Sequence, residues 1–518
     1  VPYQGEALKP CTRYFWKVSV WNNKGKCFQS TPAWFETSLM NSGWSGAKWI
    51  GSDKPLISKY ISNCIVDYDV QVGRQSHSAV FVFGCRDSLN DVGVELSMKK
   101  NGNPSFAFIQ TENGQDKKVG TTDLSALIPK SNFYDRHHIR LIFDSDGCYY
   151  YRIFVEIDGK KIRASKKEEP FRLYFKNWGQ MCRLYAIGFK QPQGEQAVFS
   201  NIVIREKAHD KVLYSDPKVY TLKGDGRLNT WYPGADVSAP VLRKAFSLSG
   251  TVKKARLYAT ARGIYEMYLN GKPVSGDFLN PGWTDYRFRI MYNTYDVTPL
   301  LQNGGNVLGA VLGNGWWSDY CGYNPEWMNQ YGVEQSLLAK LVITYEDGRT
   351  QTIVSDGSWQ CTSKGPITGN SLYNGEDYDA RKEIPDWSTA NCSFSDWKQA
   401  TVFAAPSEKV KLQPYIGQPV RVDTICTAQS MTEPLPHTYI YDMGQNMVGV
   451  PRLFIRGKKG EEITVKYGEM TYPKIIPVDP VPPYTIAEYK KLQGQLYTDN
   501  YRSALSTDHY IFKGDPAS

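Results

Sequence analysis

The sequence is poor in histidine, and its cysteines are widely scattered. Only six of 518 residues are histidine, and no HExxH pattern occurs, so a zinc protease site of that kind is not indicated. None of the ten cysteines has CxxC spacing, which argues against a zinc ribbon or a thioredoxin-like motif. Cys11 and Cys27 flank a predicted strand and could pair, but we favour free thiols that pack as small apolar groups.

Concentrated positive charge and long apolar runs are also lacking. The net charge is +9, yet adjacent basic residues occur only in short runs such as Lys166-Lys167 and Lys458-Lys459. Nucleic-acid-binding proteins more often gather their basic residues on one face, so we expect no nucleic-acid partner. No apolar run reaches the roughly 18 residues that a membrane helix needs, so we expect no membrane span. We also find no signal-peptide pattern.

Aromatic residues and turn signals are abundant. The chain contains 14 tryptophans and 35 tyrosines, a composition that suits both β-sandwich cores and sugar-stacking surfaces. Turn dipeptides occur repeatedly, at Asn270-Gly271, Asp347-Gly348, Asp356-Gly357 and Asp158-Gly159. A length of 518 residues accommodates several domains.

Apolar and polar residues alternate along many short segments. Ala255, Leu257 and Ala259 alternate with polar or amphipathic residues, and a second alternating segment covers 463–467. A period of two over this length predicts half-buried strands. The expected fold class is therefore all-β, with several tandem β-sandwich domains, and only 485–492 has a briefly helical pattern.

Composition and pattern divide the chain into four units. Residues 1–44 resemble the last strands of a fibronectin type III domain, which suggests a partial domain. Residues 45–215 are predicted to form a sandwich, since its closing strand at 197–203 resembles the end of a concanavalin-like jelly roll. A linker at 216–237 leads to two further jelly-roll-type sandwiches, predicted at 238–403 and 404–518.

Ordered motifs in the third and fourth units resemble one enzyme family. The third unit carries LYATARGIYEMYLNG at 257–271, PGWTDY at 281–286, LGNGWW at 312–317 and YNGEDYDAR at 373–381. The fourth carries YDMGQNMVG at 441–449, YGE at 467–469, LYTDN at 496–500 and TDHY at 507–510. This series resembles the N-terminal and concanavalin-like sandwiches of glycoside hydrolase family 78, the bacterial α-L-rhamnosidases.

The resemblance implies an enzyme whose chemistry lies elsewhere in the polypeptide. Members of this family hydrolyse terminal α-L-rhamnosyl residues with inversion, in an (α/α)6 barrel that follows the fourth unit. We therefore expect an accessory, carbohydrate-binding portion of such an enzyme, truncated within the fourth unit and inactive without its C-terminal catalytic domain. We assign no catalytic residue. The family also implies a secreted, periplasmic or cell-surface location and a rhamnose-containing glycan as partner.

Six residues are candidates for sugar binding because they combine flat rings with carboxylate or amide groups. They are Asp285, Asn314, Trp316, Trp317, Glu376 and Asp379. Nearby aromatic residues extend the supply of rings, namely Tyr320, Tyr323 and Trp327. Some modules of this domain type bind rhamnose with calcium, so Asp285 and Asn314 are candidate calcium ligands. We expect no required cofactor.

Structural roles compete with each of these assignments. Trp283 and Trp316 could seal the sandwich against a neighbour, and Asp379 could form an ion pair with Arg381. Asp377 and Asp379 lie two residues apart on a predicted strand, which brings their side chains together in any sandwich without making a catalytic pair. A non-catalytic glycan-binding protein and a purely structural scaffold therefore remain alternatives.

Overall fold

The computed structural model describes residues 4–40, 43–56, 63–87, 90–112, 114–145, 150–164, 170–174, 186–208, 210–231, 237–322, 328–472, 490, 492–501 and 504–514. Regular structure in these residues is nearly all β-strand, which confirms the all-β prediction. One-turn 3-10 segments occur at Lys130–Asn132, Thr298–Leu300, Ala380–Lys382 and Asp499–Tyr501. Most of the 485–492 stretch lies outside the described residues.

The strands fall into four groups along the chain. The first unit holds β1 Arg13–Trp16, β2 Ser19–Trp21, β3 Cys27–Gln29 and β4 Ala33–Glu36. After them come β5 Trp49–Gly51, β6 Cys64–Val72, β7 Ser78–Asp87, β8 Asn90–Met98, β9 Pro104–Glu112, β10 Gln115–Asp123, β11 His137–Ser145, β12 Tyr150–Ile157, β13 Lys160–Ile162, β14 Phe171–Tyr174, β15 Ala186–Phe189, β16 Gln196–Glu206, β17 Lys211–Asp216, β18 Tyr220–Lys223 and β19 Asn229–Trp231. The third group is β20 Val241–Ser247, β21 Val252–Arg262, β22 Ile264–Leu269, β23 Lys272–Pro273, β24 Arg289–Asp296, β25 Gly305–Gly313, β26 Ser336–Tyr345, β27 Thr350–Val354, β28 Gln360–Thr362, β29 Ile367–Ser371, β30 Gly375–Asp379, β31 Lys398–Gln399 and β32 Thr401–Phe403. The last group is β33 Lys411–Pro414, β34 Ser430–Leu435, β35 Thr438–Asp442, β36 Glu462–Lys466, β37 Met470–Thr471, β38 Leu496–Tyr497 and β39 Thr507–Ile511.

Two large sandwiches form the body of the molecule. The second unit contains a six-stranded sheet, β10-β9-β8-β7-β15-β19, and an eight-stranded sheet in which β14 and β18 branch from β13-β12-β11-β6-β16-β17. In the third unit, the sheet β23-β22-β25-β20-β28-β31 accompanies a seven-stranded sheet in which β27 branches from β32-β5-β26-β21-β24-β33. Each sandwich buries its own apolar cluster, as expected for two sheets packed face to face.

Turn dipeptides connect strands where the sequence predicts hairpins. Asn270 and Gly271 have φ values of 52° and 81° and join β22 to β23. Asp158 and Gly159, with φ of 52° and 75°, join β12 to β13 in the same way. Two successive positive φ values are the requirement of the tight hairpin turn that favours Asn-Gly and Asp-Gly.

Strand β21 is buried on both faces, whereas its alternation predicted a half-buried strand. Leu257 and its apolar neighbours point into the third-unit core, as predicted. The opposite face is covered as well, because Tyr258 packs with Leu39 and Tyr292 in a separate buried cluster. Residues far away in the sequence therefore cover the face that we expected to meet solvent.

An ion-pair group docks the first unit onto the third. Glu36 of β4 accepts hydrogen bonds from Arg256 of β21 at 2.9 and 3.1 Å, and Lys254 lies 3.1 Å from the same carboxylate. Burial alone would raise the pKa of Glu36, but the hydrogen bonds and charges of Arg256 and Lys254 hold that pKa below its ordinary value. The carboxylate thus stays ionised at the joint between the two units.

Strands are also shared across the predicted domain boundaries, which stay predictions. β5, within the predicted 45–215 unit, pairs with β26 and β32 of the third sandwich. β33, within the predicted 404–518 unit, pairs in parallel with β24. A four-stranded sheet, β29-β30-β39-β36, joins the third unit to the fourth, and we call the β30–β39 pairing the seam.

Candidate carbohydrate-binding surface

Asn314 is an internal anchor of the loop that carries Trp316 and Trp317. The side chain is fully buried, and its Nδ2 donates to the Asn370 carbonyl at 2.9 Å. Its Oδ1 accepts from Gln335 Nε2 at 2.9 Å, and its backbone N–H donates to Asn370 Oδ1 at 2.8 Å. Buried amides need such partners, so these bonds fix the loop and leave Asn314 no access to a sugar in this structure.

Trp317 belongs to a packed and partly buried aromatic group. Its ring lies 5.7 Å from Tyr286 and is near-parallel to Tyr331 at 6.1 Å. The Arg262 guanidinium lies 5.4 Å from the Trp317 ring and 4.6 Å from Trp49. Burial lowers the pKa of Arg262 to about 10, and the two indoles compensate part of this loss of water by cation–π contact.

Trp316 lies against a tryptophan that we considered only as a possible structural plug. The rings of Trp283 and Trp316 are near-parallel, with centroids 6.2 Å apart and an interplanar angle of 11°. Trp283 is 50% exposed, while Trp316 is half-buried. Each ring of the stack faces the other, so the part of the pair that is exposed to solvent is mainly the Trp283 indole. We call the Trp283–Trp316 pair the tryptophan platform.

Asp285 borders this platform in a close ion pair with Arg287. The guanidinium donates from Nε to Oδ1 at 2.8 Å and from Nη2 to Oδ2 at 2.6 Å. The hydrogen bonds of Arg287 hold the pKa of Asp285 below its ordinary value. Both side chains keep surface contact, with 37% of Asp285 and 70% of Arg287 exposed.

Tyr331 connects the ion pair to the platform. Burial raises the pKa of its hydroxyl, while a hydrogen-bonding interaction with Trp283 opposes that rise, and Asp285 and Arg287 act on the same hydroxyl by charge. Sequence reasoning missed both Tyr331 and Arg287. The only local signal was the spacing of Trp283, Asp285 and Arg287 at every second residue, a pattern that any exposed loop can show.

Asp285 and Asn314 do not fit a shared calcium site. The oxygen of Asn314 is buried and accepts from Gln335, and the Asp285 carboxylate is already held by a guanidinium whose positive charge opposes a cation. Among the described residues, no group of three His, Cys, Asp or Glu side chains is arranged to hold a metal ion. Calcium use therefore stays a prediction, without support from this residue pair.

Glu376 belongs to a second polar group, at the seam. Its side chain reaches the surface, and its backbone N–H donates to Asp508 Oδ1 at 2.7 Å. The packed surroundings of the carboxyl group, together with the negative charges of Asp508, Glu266 and Asp377, raise the pKa of Glu376 to about 7. Asp508 in turn accepts a hydrogen bond from the hydroxyl of Tyr467, which also belongs to the fourth unit.

Asp379 stabilises the chain locally. It is 4% exposed, and its Oδ1 accepts a hydrogen bond from the backbone N–H of Arg381 at 3.1 Å. The Arg381 guanidinium also donates to each carboxylate oxygen of Asp379, at 2.8 Å. Arg381 holds the pKa of Asp379 below its ordinary value. The structure thus shows the ion pair that we considered as the alternative to sugar contact.

Of the other aromatic candidates near the loop, only Tyr320 lies in the described part of the chain, and it does not add to the platform. Tyr320 is 1% exposed and lies edge-on to Tyr373 at 6.1 Å. Tyr323 and Trp327 lie outside the described residues. Of the six candidates, the structure groups Asp285, Trp316 and Trp317, places Asn314 beneath them, and positions Glu376 and Asp379 on β30.

Two further expectations concern the cysteines and a membrane-spanning helix. Cys11 and Cys27 are both free thiols, as favoured. Cys11 is partly buried, but Cys27 is exposed, so the expected apolar packing is wrong for Cys27. Within the described ranges, no helix has the length and apolar character needed to cross a bilayer.

Three family models match successive parts of the chain. Residues 1–41 match the Rha78A-like N-terminal immunoglobulin domain, and residues 250–424 match the alpha-L-rhamnosidase N-terminal domain. Residues 432–518 match the bacterial alpha-L-rhamnosidase concanavalin-like domain. The fibronectin type III resemblance of the first unit stays a prediction beside the immunoglobulin match.

Known relatives extend this likeness over the whole chain. An alpha-L-rhamnosidase from Streptomyces avermitilis is 32% identical over 534 residues, which cover 99% of this chain and 47% of the relative. One from Formosa agariphila is 37% identical over 273 residues, covering 52% of this chain and 27% of the relative. The crystal structure of Streptomyces avermitilis alpha-L-rhamnosidase complexed with L-rhamnose matches with a TM-score of 0.60 at 27% identity, covering 100% of this chain and 47% of that one.

The chain thus spans less than half the length of these relatives. Within that span, the order of the matched domains is the order that the motifs predict. The domain matches, the relatives and the shared fold together show that this chain belongs to the bacterial α-L-rhamnosidase family.

Proposed function

We propose that this chain is the accessory, carbohydrate-binding portion of an inverting α-L-rhamnosidase that removes terminal α-L-rhamnosyl residues from glycans or glycosides. Hydrolysis itself is assigned to a helical domain outside these 518 residues. The ordered match of two rhamnosidase domains along 250–424 and 432–518, on an all-β structure, is the observation that carries the proposal. The relatives, of which this chain covers less than half, supply the activity by name.

The acidic side chains described here favour binding over hydrolysis. Inversion requires one carboxylic acid and one carboxylate on opposite faces of the sugar, separated by roughly 6.5–9.5 Å. Asp285 and Asp379 are each neutralised by an adjacent arginine, so neither is available as a base. Glu376 has the raised pKa of an acid, but the carboxylates around it belong to the joint between two domains.

A location outside the cytoplasm belongs to the same proposal. Its ground is the resemblance to the bacterial α-L-rhamnosidase family. We accordingly propose that the protein is secreted, periplasmic or bound to the cell surface.

A purely structural role is the second candidate. The burial of Asn314 and Asp379 and the packing of Trp317 against Arg262 favour it, because three of the six predicted contacts stabilise the protein itself. It differs from the first candidate in predicting no sugar affinity at all.

The test is the release of L-rhamnose by the purified chain from an aryl α-L-rhamnoside. We expect no release above a blank, while a full-length family member assayed in parallel cleaves the substrate. Turnover that co-purifies with this chain and is lost in Glu376→Gln would show that catalysis lies within these residues, against the proposal.

A further inference from the structure

We propose that the tryptophan platform, with Asp285, Arg287 and Tyr331 at its border, binds the pyranose ring of a deoxyhexose such as L-rhamnose without cleaving it. This inference rests on the proposed function, since it assumes that the chain handles rhamnosyl glycans. It adds Trp283, Arg287 and Tyr331 to the sequence candidates Asp285 and Trp316, and it names the class of ligand.

The platform is exposed on a loop that is held firmly from below. Gly282, just before Trp283, has φ of +85°, and a Cβ there would meet the Tyr415 ring at 3.2 Å. Its carbonyl accepts the Tyr286 hydroxyl at 3.1 Å, and its N–H donates to the Leu279 carbonyl at 2.8 Å. The loop therefore fixes Trp283 in its outward position, so the exposed indole is part of a built surface.

The stacked geometry suits a sugar ring. Pyranoses present one face of C–H groups that packs on an aromatic plane, and a 6-deoxy sugar adds a methyl group to its apolar surface. Trp316 lies near-parallel to Trp283, at 11°, so it supports the Trp283 ring from one side while the exposed part of Trp283 can meet the sugar. Leaving half of an indole in water is costly unless a partner covers it, which favours a ligand at this position.

The border supplies the polar contacts that a sugar needs beside its apolar face. Oδ2 of Asp285 accepts one hydrogen bond from Arg287 and retains lone pairs for a sugar hydroxyl. The 70% exposed guanidinium of Arg287 offers further N–H donors, and the Tyr331 hydroxyl can donate or accept. Hydrogen bonds to charged groups are the stronger kind, so this pair can orient a neutral ligand.

An apolar face of another protein domain is the competing occupant. Phe288 is 62% exposed in the same loop and lies 5.9 Å from the Arg287 guanidinium, so the apolar area extends beyond the two indoles. We favour the sugar because Asp285 and Arg287 lie in the same loop as Trp283 and act by charge on Tyr331, which interacts with Trp283. A domain interface of this kind would have to cover both charges, and the cores of interfaces are depleted of charged residues.

Calorimetry with methyl α-L-rhamnoside on the full chain tests the platform. We expect weak, saturable binding that falls at least tenfold in Trp283→Ala and several-fold in Asp285→Asn. Trp21→Ala is the matched control, because Trp21 is 66% exposed in the first unit, away from the platform. That variant should bind like the unaltered chain, and near-ultraviolet circular dichroism checks that each variant is folded.

The outcomes separate the platform from the proposed function. If folded Trp283→Ala binds like the unaltered chain, or if a calcium chelator abolishes the heat, sugar binds elsewhere and the platform assignment is wrong while the accessory role stands. If the unaltered chain gives no saturable heat, the sugar is excluded from the platform and the domain contact is favoured. Hydrolysis of the glycoside in the cell would instead overturn the proposed function, whatever Trp283→Ala does.

Discussion

The third and fourth units are both built from strands, yet they bury their apolar side chains to very different extents. In the third unit, Leu257, Leu341 and Trp359 are fully buried between two sheets. In the fourth unit, Ile416 is 87% exposed, Val448 105% and Phe454 91%. The same fold class therefore describes one unit with an enclosed core and one with several exposed apolar side chains.

The difference follows from how the sheets are arranged. The third unit packs a six-stranded sheet on a seven-stranded one, so each sheet covers the other. The described strands of the fourth unit form two two-stranded ribbons, β34-β35 and β37-β38. The other three extend sheets of the third unit: β33 pairs with β24, and β36 and β39 join the sheet that holds β30. The stability of the fourth unit should therefore depend on the seam, while the third unit should depend on its own core.

The largest loss of stability is expected when a buried side chain of the third-unit core is truncated. Leu257→Ala removes a fully buried side chain and should lower the local free energy of opening of β21 and β26 by about 3 kcal/mol. Val448→Ala should change stability by less than about 0.5 kcal/mol, because that side chain is already in water. Hydrogen exchange read by mass spectrometry measures the stability change in each variant. Equal losses in Leu257→Ala and Val448→Ala would show that the two units do not differ in how far they depend on buried apolar side chains.

A smaller effect is expected at the seam. Gly375 has φ of +105°, and a Cβ there would lie 2.0 Å from the Thr507 carbonyl oxygen, so Gly375→Ala should push β39 away from β30. Exchange in β36 and β39 should speed up by the equivalent of about 2 kcal/mol, with β21 unchanged.

Gly348→Ala is the control for the seam variant, since Gly348 has φ of +85° with nothing within 4 Å. It imposes similar backbone strain without the collision. If both variants loosen β39 equally, the close approach at Gly375 does not hold the two units together.

The smallest effect should be a pH dependence of the seam. The pKa of Glu376 is raised from 4.5 to about 7, so the folded chain holds a proton there that the unfolded chain releases. This contribution to stability is complete below pH 4.5 and is lost as pH rises through 7. The carboxyl group is opposed by Glu266 on β22, Asp377 on β30 and Asp508 on β39, and the tyrosine hydroxyls of Tyr378 and Tyr467 also act on it.

Glu376→Gln should remove this pH dependence and raise the thermal midpoint at pH 8 by a few degrees. The exposed Glu408→Gln serves as the control and should leave the pH slope as it is. Thermal unfolding between pH 4 and 8 measures the effect, and an unchanged slope in Glu376→Gln would show that the pKa of Glu376 does not differ between the folded and unfolded chain.

The sequence predicts where strands form better than it predicts which distant residues pack against each face of a strand. Alternation at Ala255, Leu257 and Ala259 is local, so it predicts both the strand and its inward face. Burial of Tyr258 depends on Leu39 and Tyr292, which no local pattern connects. Tertiary contacts, rather than local strand propensity, therefore determine that the Tyr258 face of β21 is buried.

The candidate site shows the same limit. Loop composition at 314–317 drew attention to Trp316, because an aromatic next to a glycine is conspicuous in the sequence. It could not show that Asn314 would be tied to Asn370 and Gln335, or that Trp283 would stack on Trp316 across the loop. Each of these contacts joins residues more than twenty positions apart.

We propose that this chain binds a rhamnosyl sugar and leaves its glycosidic bond intact. Saturation-transfer NMR of methyl α-L-rhamnoside with the purified chain reads both parts in one sample over time. We predict saturation of the ring protons of the glycoside and an anomeric signal of constant intensity. The appearance of free rhamnose signals, or the lack of any transfer to the glycoside, would contradict the account.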